Sequence, residues 1–238
     1  MGHKTAVKPP LVGSFLWGLV VMTRTVIALA FGLCLGVITP ALAQTEASLD
    51  LTDYEVLAAK FRETRAAAEQ GDAKAQYRLG LMYEIGEGVA QDATKAVAWT
   101  RKAADQGDAS AQISLGFMYA FGRGVTRDDA QAVAWIRKAA DQGNAVAQCN
   151  LGMMYLGGLG VARDDAQAAA WCRKAADQGN AVAQYNLGWI YEKGWYANGW
   201  GLVRNGAQAV GWYRKAADQG FIVAREVLRE MEASGLVK

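Results

Sequence analysis

The chain has 238 residues, with 25 Lys and Arg against 23 Asp and Glu, a formal charge of +2 at pH 7. That near-balance, with no basic stripe interleaved with aromatics, excludes a nucleic-acid groove built on charge. The single histidine is His3, so His-based general base catalysis and Ser-His-Asp or Cys-His arrangements have nothing to draw on further along the chain.

Residues 1–43 read differently from the rest. They hold all three prolines (Pro9, Pro10 and Pro40), His3 and no acidic residue. Val26 to Ile38 is an uncharged apolar run preceded by Arg24, and Ala41-Leu42-Ala43 before Gln44 fits the small-residue rule for signal peptidase. This predicts a secretory signal peptide over 1–43, with Met22 as an alternative start. An uncleaved anchor is the competing reading, but the apolar run is short for a span. Cleavage would leave 195 residues with 22 Lys and Arg against 23 Asp and Glu, so the basic excess belongs to the leader. The remainder has no proline, as expected of helices joined by glycine turns.

Residues 44–70 read as a linker and an N-terminal capping helix. Thr52 with Glu55 forms a capping-box pattern, with Leu51 and Val56 as a hydrophobic staple. Four helical hairpins then follow at 71–106, 107–142, 143–178 and 179–219. Their junction glycines, Gly71, Gly107, Gly143, Gly179 and finally Gly220, are spaced 36, 36, 36 and 41 residues apart. A fixed period of this size marks a stacked repeat. Each glycine sits where a left-handed residue ends a helix. The next residue, Asp72, Asp108, Asn144 or Asn180, is a good N-cap for the following helix.

Within each first helix the recurring residues are of the Ala75-Gln76, Leu79-Gly80 and Met82-Tyr83 type. Gly80, Gly116, Gly152 and Gly188 sit mid-helix, where glycine costs about 1 kcal/mol relative to alanine. Repetition of that cost predicts close backbone contact with another helix. Gly86-x-Gly88, Gly122-x-Gly124 and Gly158-x-Gly160 follow a helix rather than a strand, so they read as turns and not as phosphate loops. Asp92, Asp128, Asp164 and Asn205 cap the second helices, and Trp99, Trp135, Trp171 and Trp212 read as core. The fourth loop is longer and carries Trp195, Tyr196 and Trp200, either as a binding platform or as a lid over the last repeat. Residues 220–238 form a C-terminal capping helix in which Arg229 replaces the mid-helix glycine, as a terminal element requires.

These residues resemble the Sel-one-like repeat family, a relative of tetratricopeptide repeats. The pattern Gly-x-x-x-Ala-x-x-x-Leu-Gly-x-x-Tyr, Gly-x-Gly-Val, Ala-x-x-Trp-x-x-Lys-Ala-Ala runs four times through residues 71–219. The resemblance implies an all-α fold, a right-handed α/α superhelical solenoid of four helix-turn-helix repeats with capping helices at both ends. It further implies a concave, partner-binding face and an adaptor role. Secreted bacterial members are linked to envelope signalling, exopolysaccharide control and host interaction.

Leu81, Phe117, Met153 and Trp189 occupy one row of the first helices, with Phe121 one turn below Phe117. Tyr185 belongs to the adjacent row of Tyr77, Ile113 and Cys149. An apolar groove lined by these side chains would suit a protein or peptide partner, and packing between neighbouring repeats is the alternative. Cys149 and Cys172 could pair in an oxidising compartment, or could hold two separate packing positions. Alone they make no closed zinc site, and no metal or cofactor is expected. No serine of the cleaved chain begins a Ser-x-x-Lys motif. Cysteine-rich relatives linked to β-lactam binding or hydrolysis carry a cysteine pair in every repeat, which this chain lacks. The expectation is a non-enzymatic periplasmic or secreted adaptor with neither nucleic-acid nor membrane contact after cleavage. A peptidoglycan- or polysaccharide-binding module using Trp195, Tyr196 and Trp200 is the rival. N-terminal sequencing of the exported protein is expected to start at Gln44; an intact leader on the exported chain would support the anchor instead.

Overall fold

The structure, a computed structural model, describes residues 51–193 and 205–234. The expected leader and the aromatic loop with Trp195, Tyr196 and Trp200 lie outside the described residues. Among the described residues there are ten helices and no strand: α1 (Leu51–Glu69), α2 (Ala73–Ile85), α3 (Ala93–Asp105), α4 (Ala109–Phe121), α5 (Asp129–Asp141), α6 (Ala145–Gly157), α7 (Asp165–Asp177), α8 (Ala181–Lys193), α9 (Gly206–Asp218) and α10 (Ile222–Ala233). They pack as consecutive pairs, α2 with α3 through α8 with α9, and each pair then packs on the first helix of the next. The fold is an α-solenoid. Among the described residues, helix α1 takes the place of a second helix and α10 that of a first helix, each packed on one neighbouring hairpin.

The helix boundaries follow from side-chain capping. Asp72, Asp108, Asn144 and Asn180 each accept from the backbone N–H three residues on, at 2.8–3.0 Å. Asp92, Asp128, Asp164 and Asn205 do the same for the second helices at 2.9–3.0 Å. Each bond satisfies an N–H that the helix itself leaves orphaned. The start of α1 is different from expectation. The helix runs back to Leu51, which puts Thr52 inside it rather than at its cap, and Val56 is 64% exposed rather than stapled.

The mid-helix glycines meet the second helix of their own repeat. A Cβ built on Gly116 would stand 2.6 Å from Ile136 Cγ1 and 3.1 Å from the Ala132 carbonyl oxygen. Thr100, Cys172 and Tyr213 face Gly80, Gly152 and Gly188 in the same way. Any side chain there would push the two helices of a hairpin apart. The loop glycines are explained by a different contact. Gly124 has φ +67°, and a Cβ on it would lie 2.1 Å from the Ala93 carbonyl oxygen, at the start of the preceding second helix. The turn therefore also sets the spacing between repeats.

A buried amide chain joins these elements. Gln76, Gln112, Gln148 and Gln184 are buried in the first helices. Their Nε2 groups donate to the carbonyls of Ala68, Ala104, Ala140 and Ala176 at 3.1–3.2 Å, at the end of the preceding second helix. Their Oε1 atoms accept from Gln106, Gln142, Gln178 and Gln219 at 2.7–2.8 Å, at the end of their own second helix. Breaking one link leaves a buried polar group unpaired, which costs about 1–3 kcal/mol.

At the C-terminal end, Arg229 is exposed and Leu228 is partly buried against the core of the last repeats. Two glycines in helix interiors should therefore respond oppositely to substitution. Gly116→Leu should destabilise by at least about 1–3 kcal/mol through overpacking. Gly211, with nothing within 4 Å of its built Cβ, should gain up to about 1 kcal/mol as Gly211→Ala. Urea unfolding followed by circular dichroism measures both.

Candidate partner-binding face

The first helices and the second helices differ in how they are covered. In α4 every residue from Ala111 to Ala120 is buried, whereas α5 keeps Ala134, Lys138 and Asp141 exposed. The first helices are the more deeply covered layer, and one of their faces carries a strip in which buried positions such as Ser114, Phe117, Asn150 and Asn186 alternate with partly exposed ones. That strip follows helical spacing: positions 74, 78, 81 and 85 on α2 lie within one face. It reads Lys74, Arg78, Leu81 and Ile85 on α2, then Ser110, Ser114, Phe117 and Phe121 on α4. On α6 and α8 it continues as Val146, Asn150, Met153, Gly157 and as Val182, Asn186, Trp189, Lys193.

The sequence-predicted residues divide along this strip. Phe121 is 43% exposed and Ile85, which the sequence reading did not single out, is 61% exposed. Leu81, Met153 and Trp189 are half-buried, with Met153 and Trp189 packed against the core of the last two repeats. Phe117 is only 5% exposed. Its ring lies 6.3 Å from that of Phe121, so it is part of the wall beneath the strip rather than an open anchor. Arg123 stands 5.5 Å over the Phe121 ring and pairs with Glu84 of α2 at 3.7 Å, which ties the two repeats together beside Ile85.

The adjacent row joins neighbouring first helices. Tyr77 Oη and Ser114 Oγ are 2.9 Å apart, and Asn186 Nδ2 donates to Cys149 Sγ at 3.4 Å. Burial pushes the Tyr77 phenol up, with the Ser114 bond opposing it, so this rung stays neutral. At the equivalent middle rung, Ile113 stands opposite Asn150. Isoleucine offers no acceptor, and among the described residues Asn150 Nδ2 is buried without a hydrogen-bond partner.

Tyr185 closes the row at the C-terminal end. Its ring lies 5.5 Å from Tyr213 and 5.2 Å from Phe221, so it packs between the last repeat and α10 instead of facing the strip. Burial pushes the Tyr213 phenol well up, reinforced by its 2.7 Å bond to Glu192. Cys149 and Cys172 are both buried; Asn186 lies beside the first and Gly152 beside the second.

The outer layer is held by repeated cation–aromatic contacts. Lys102, Lys138, Lys174 and Lys215 stand 3.7–3.9 Å over Trp99, Trp135, Trp171 and Trp212. Trp135 and Trp212 are buried and the other two are half-buried. Arg101, Arg137 and Arg173 each donate to the hydroxyl of Tyr119, Tyr155 or Tyr191 in the next repeat. Among the described residues, no group of three His, Cys, Asp or Glu side chains is placed to hold a metal ion. No helix among them is long and apolar enough to cross a membrane.

A family model for the Sel1 repeat matches residues 73–108, 109–144, 145–180 and 181–221. Two solved structures match over most of the described array. A protective antigen of uropathogenic Escherichia coli strains, displaying an SLR fold, is 37% identical with a TM-score of 0.67, over 74% of this chain and 36% of the antigen. A Sel1 repeat protein from Oxalobacter formigenes is 34% identical with a TM-score of 0.66, over 73% of this chain and 67% of that one. The chain thus spans about a third of the antigen's length. No curated protein matches.

The broken rung makes a sharp expectation. Asn150→Leu should be neutral or stabilising by up to about 1–3 kcal/mol, because it removes a buried amide nitrogen with no partner among the described residues. Asn186→Leu, which loses a made bond, should destabilise by about 1 kcal/mol. Thermal unfolding of the two variants side by side distinguishes them.

Proposed function

Because the chain belongs to the Sel1 repeat family, we propose that it is a secreted or periplasmic adaptor that holds a protein partner against its first-helix layer. Sel1 repeat proteins generally mediate protein–protein interaction, and the scaffold is typically non-enzymatic. The observation that carries the reading is the set of partly exposed apolar side chains Leu81, Ile85, Phe121, Met153 and Trp189 in register along the first helices. Large apolar side chains left exposed in series mark interaction surfaces. Envelope signalling or exopolysaccharide control is the setting in which such an adaptor would serve. Secretion rests on the leader at 1–43.

The experiment is a crosslinked pull-down from native cell envelope with the mature chain and an Ile85→Asp, Phe121→Asp double variant. Both positions are exposed, so the variant should keep its helical signal and unfolding midpoint. Loss of a specific protein band in the variant is the expected result. Equal capture by both proteins would overturn the assignment of the face. Retention on purified murein without any protein band would favour glycan binding through Trp195, Tyr196 and Trp200.

A further inference from the structure

The strip on α2 carries charge as well as apolar surface. Lys74 and Arg78 are both exposed and lie one helical turn apart, a like-charge spacing that destabilises an isolated helix. Among the described residues neither forms an ion pair, and Glu84, which precedes Ile85, pairs with Arg123, while Asp72 and Asp108 cap helices through backbone N–H groups. At the other end of the strip Ile85 is 61% exposed and Phe121 43%. Two exposed cations leading into exposed apolar side chains ask for a ligand with the complementary order.

We propose that this strip is a docking surface for an extended peptide segment of a protein partner, one that carries a carboxylate side chain and, a few residues on, a bulky apolar one. The carboxylate pairs with Lys74 and Arg78, and the apolar side chain covers Ile85 and Phe121. The spacing follows from helix geometry. Arg78 and Ile85 are seven residues apart and Lys74 and Ile85 eleven, or about 10 and 16 Å along the axis at 1.5 Å per residue. An extended strand rises about 3.3 Å per residue, so the two side chains of the ligand stand about three to five residues apart. The inference rests on the adaptor reading and specifies its partner.

The test is selection of random twelve-residue peptides displayed on phage against the immobilised full chain, followed by fluorescence anisotropy with the enriched peptides. Enriched sequences should share an acidic residue three to five positions from a large apolar one. Replacing that acid by its amide should weaken binding by about tenfold, the scale of two exposed ion pairs. The Lys74→Glu, Arg78→Glu variant should lose the same factor and gain a peptide whose acid is replaced by lysine. Circular dichroism should show that variant unchanged in helicity. Enriched peptides without an acid, or bound equally by the charge-reversed variant, would overturn this inference and leave the adaptor reading standing. Enrichment of no peptide would overturn both. Self-association of the chain abolished by the same variant would give the strip to a second copy and also overturn the proposal.

Discussion

The structure depends on the approach of each first helix to the second helix of its own repeat. Gly80, Gly116, Gly152 and Gly188 bring that approach to backbone distance, so a Cβ there would lie 2.9–3.2 Å from the carbonyl oxygens of Ala96, Ala132, Ala168 and Ala209. The side chains opposite are Thr100, Ile136, Cys172 and Tyr213, all fully buried. They differ widely in size while the glycine and the alanine do not. The constraint is therefore on the backbones, and the fourth partner fills whatever space remains around it. Once that distance is set, the two helices of every hairpin keep the same offset, and the buried glutamine chain links one hairpin to the next.

Much of this was legible in the sequence because it is local. Helix starts and stops at Asp72, Gly107, Asp108 and their equivalents are read from a residue and its immediate neighbours, and the caps formed as expected. The mid-helix glycines were legible as a contact, since a repeated penalty requires a repeated reason. The glutamine chain was not read, although its signal was present: a glutamine near the start of every first helix and another at the end of every second. Pairing Gln76 with Gln106 needs the hairpin to be folded first, because thirty residues separate them. Phe117 and Tyr185 show the same limit. Periodicity placed them on the right side of their helices, but how far each is covered depends on the adjacent helix. Phe121 and the more deeply buried Phe117 are one turn apart on one face.

The repeat also shows where sequence drift has been tolerated. The rungs between first helices are Tyr77 with Ser114, Ile113 opposite Asn150, and Cys149 with Asn186. Two are hydrogen-bonded and one is not, within four repeats whose glycine and glutamine positions do not vary. Those rungs tune the fit between repeats, while the glycines and glutamines define it. The first described repeat lies at one end of the described array. Its Lys74, Arg78 and Ile85 are exposed, so charge and apolar surface stand side by side there.

The central claim is that the first-helix layer, and not the outer layer, is the working face. Hydrogen exchange by mass spectrometry on the full chain, with and without a bound peptide, tests it most directly. Slowed exchange confined to α2 and α4, with α3, α5 and α7 unchanged, is the predicted result. Protection that falls on the second helices, or on residues 194–204 alone, would contradict it.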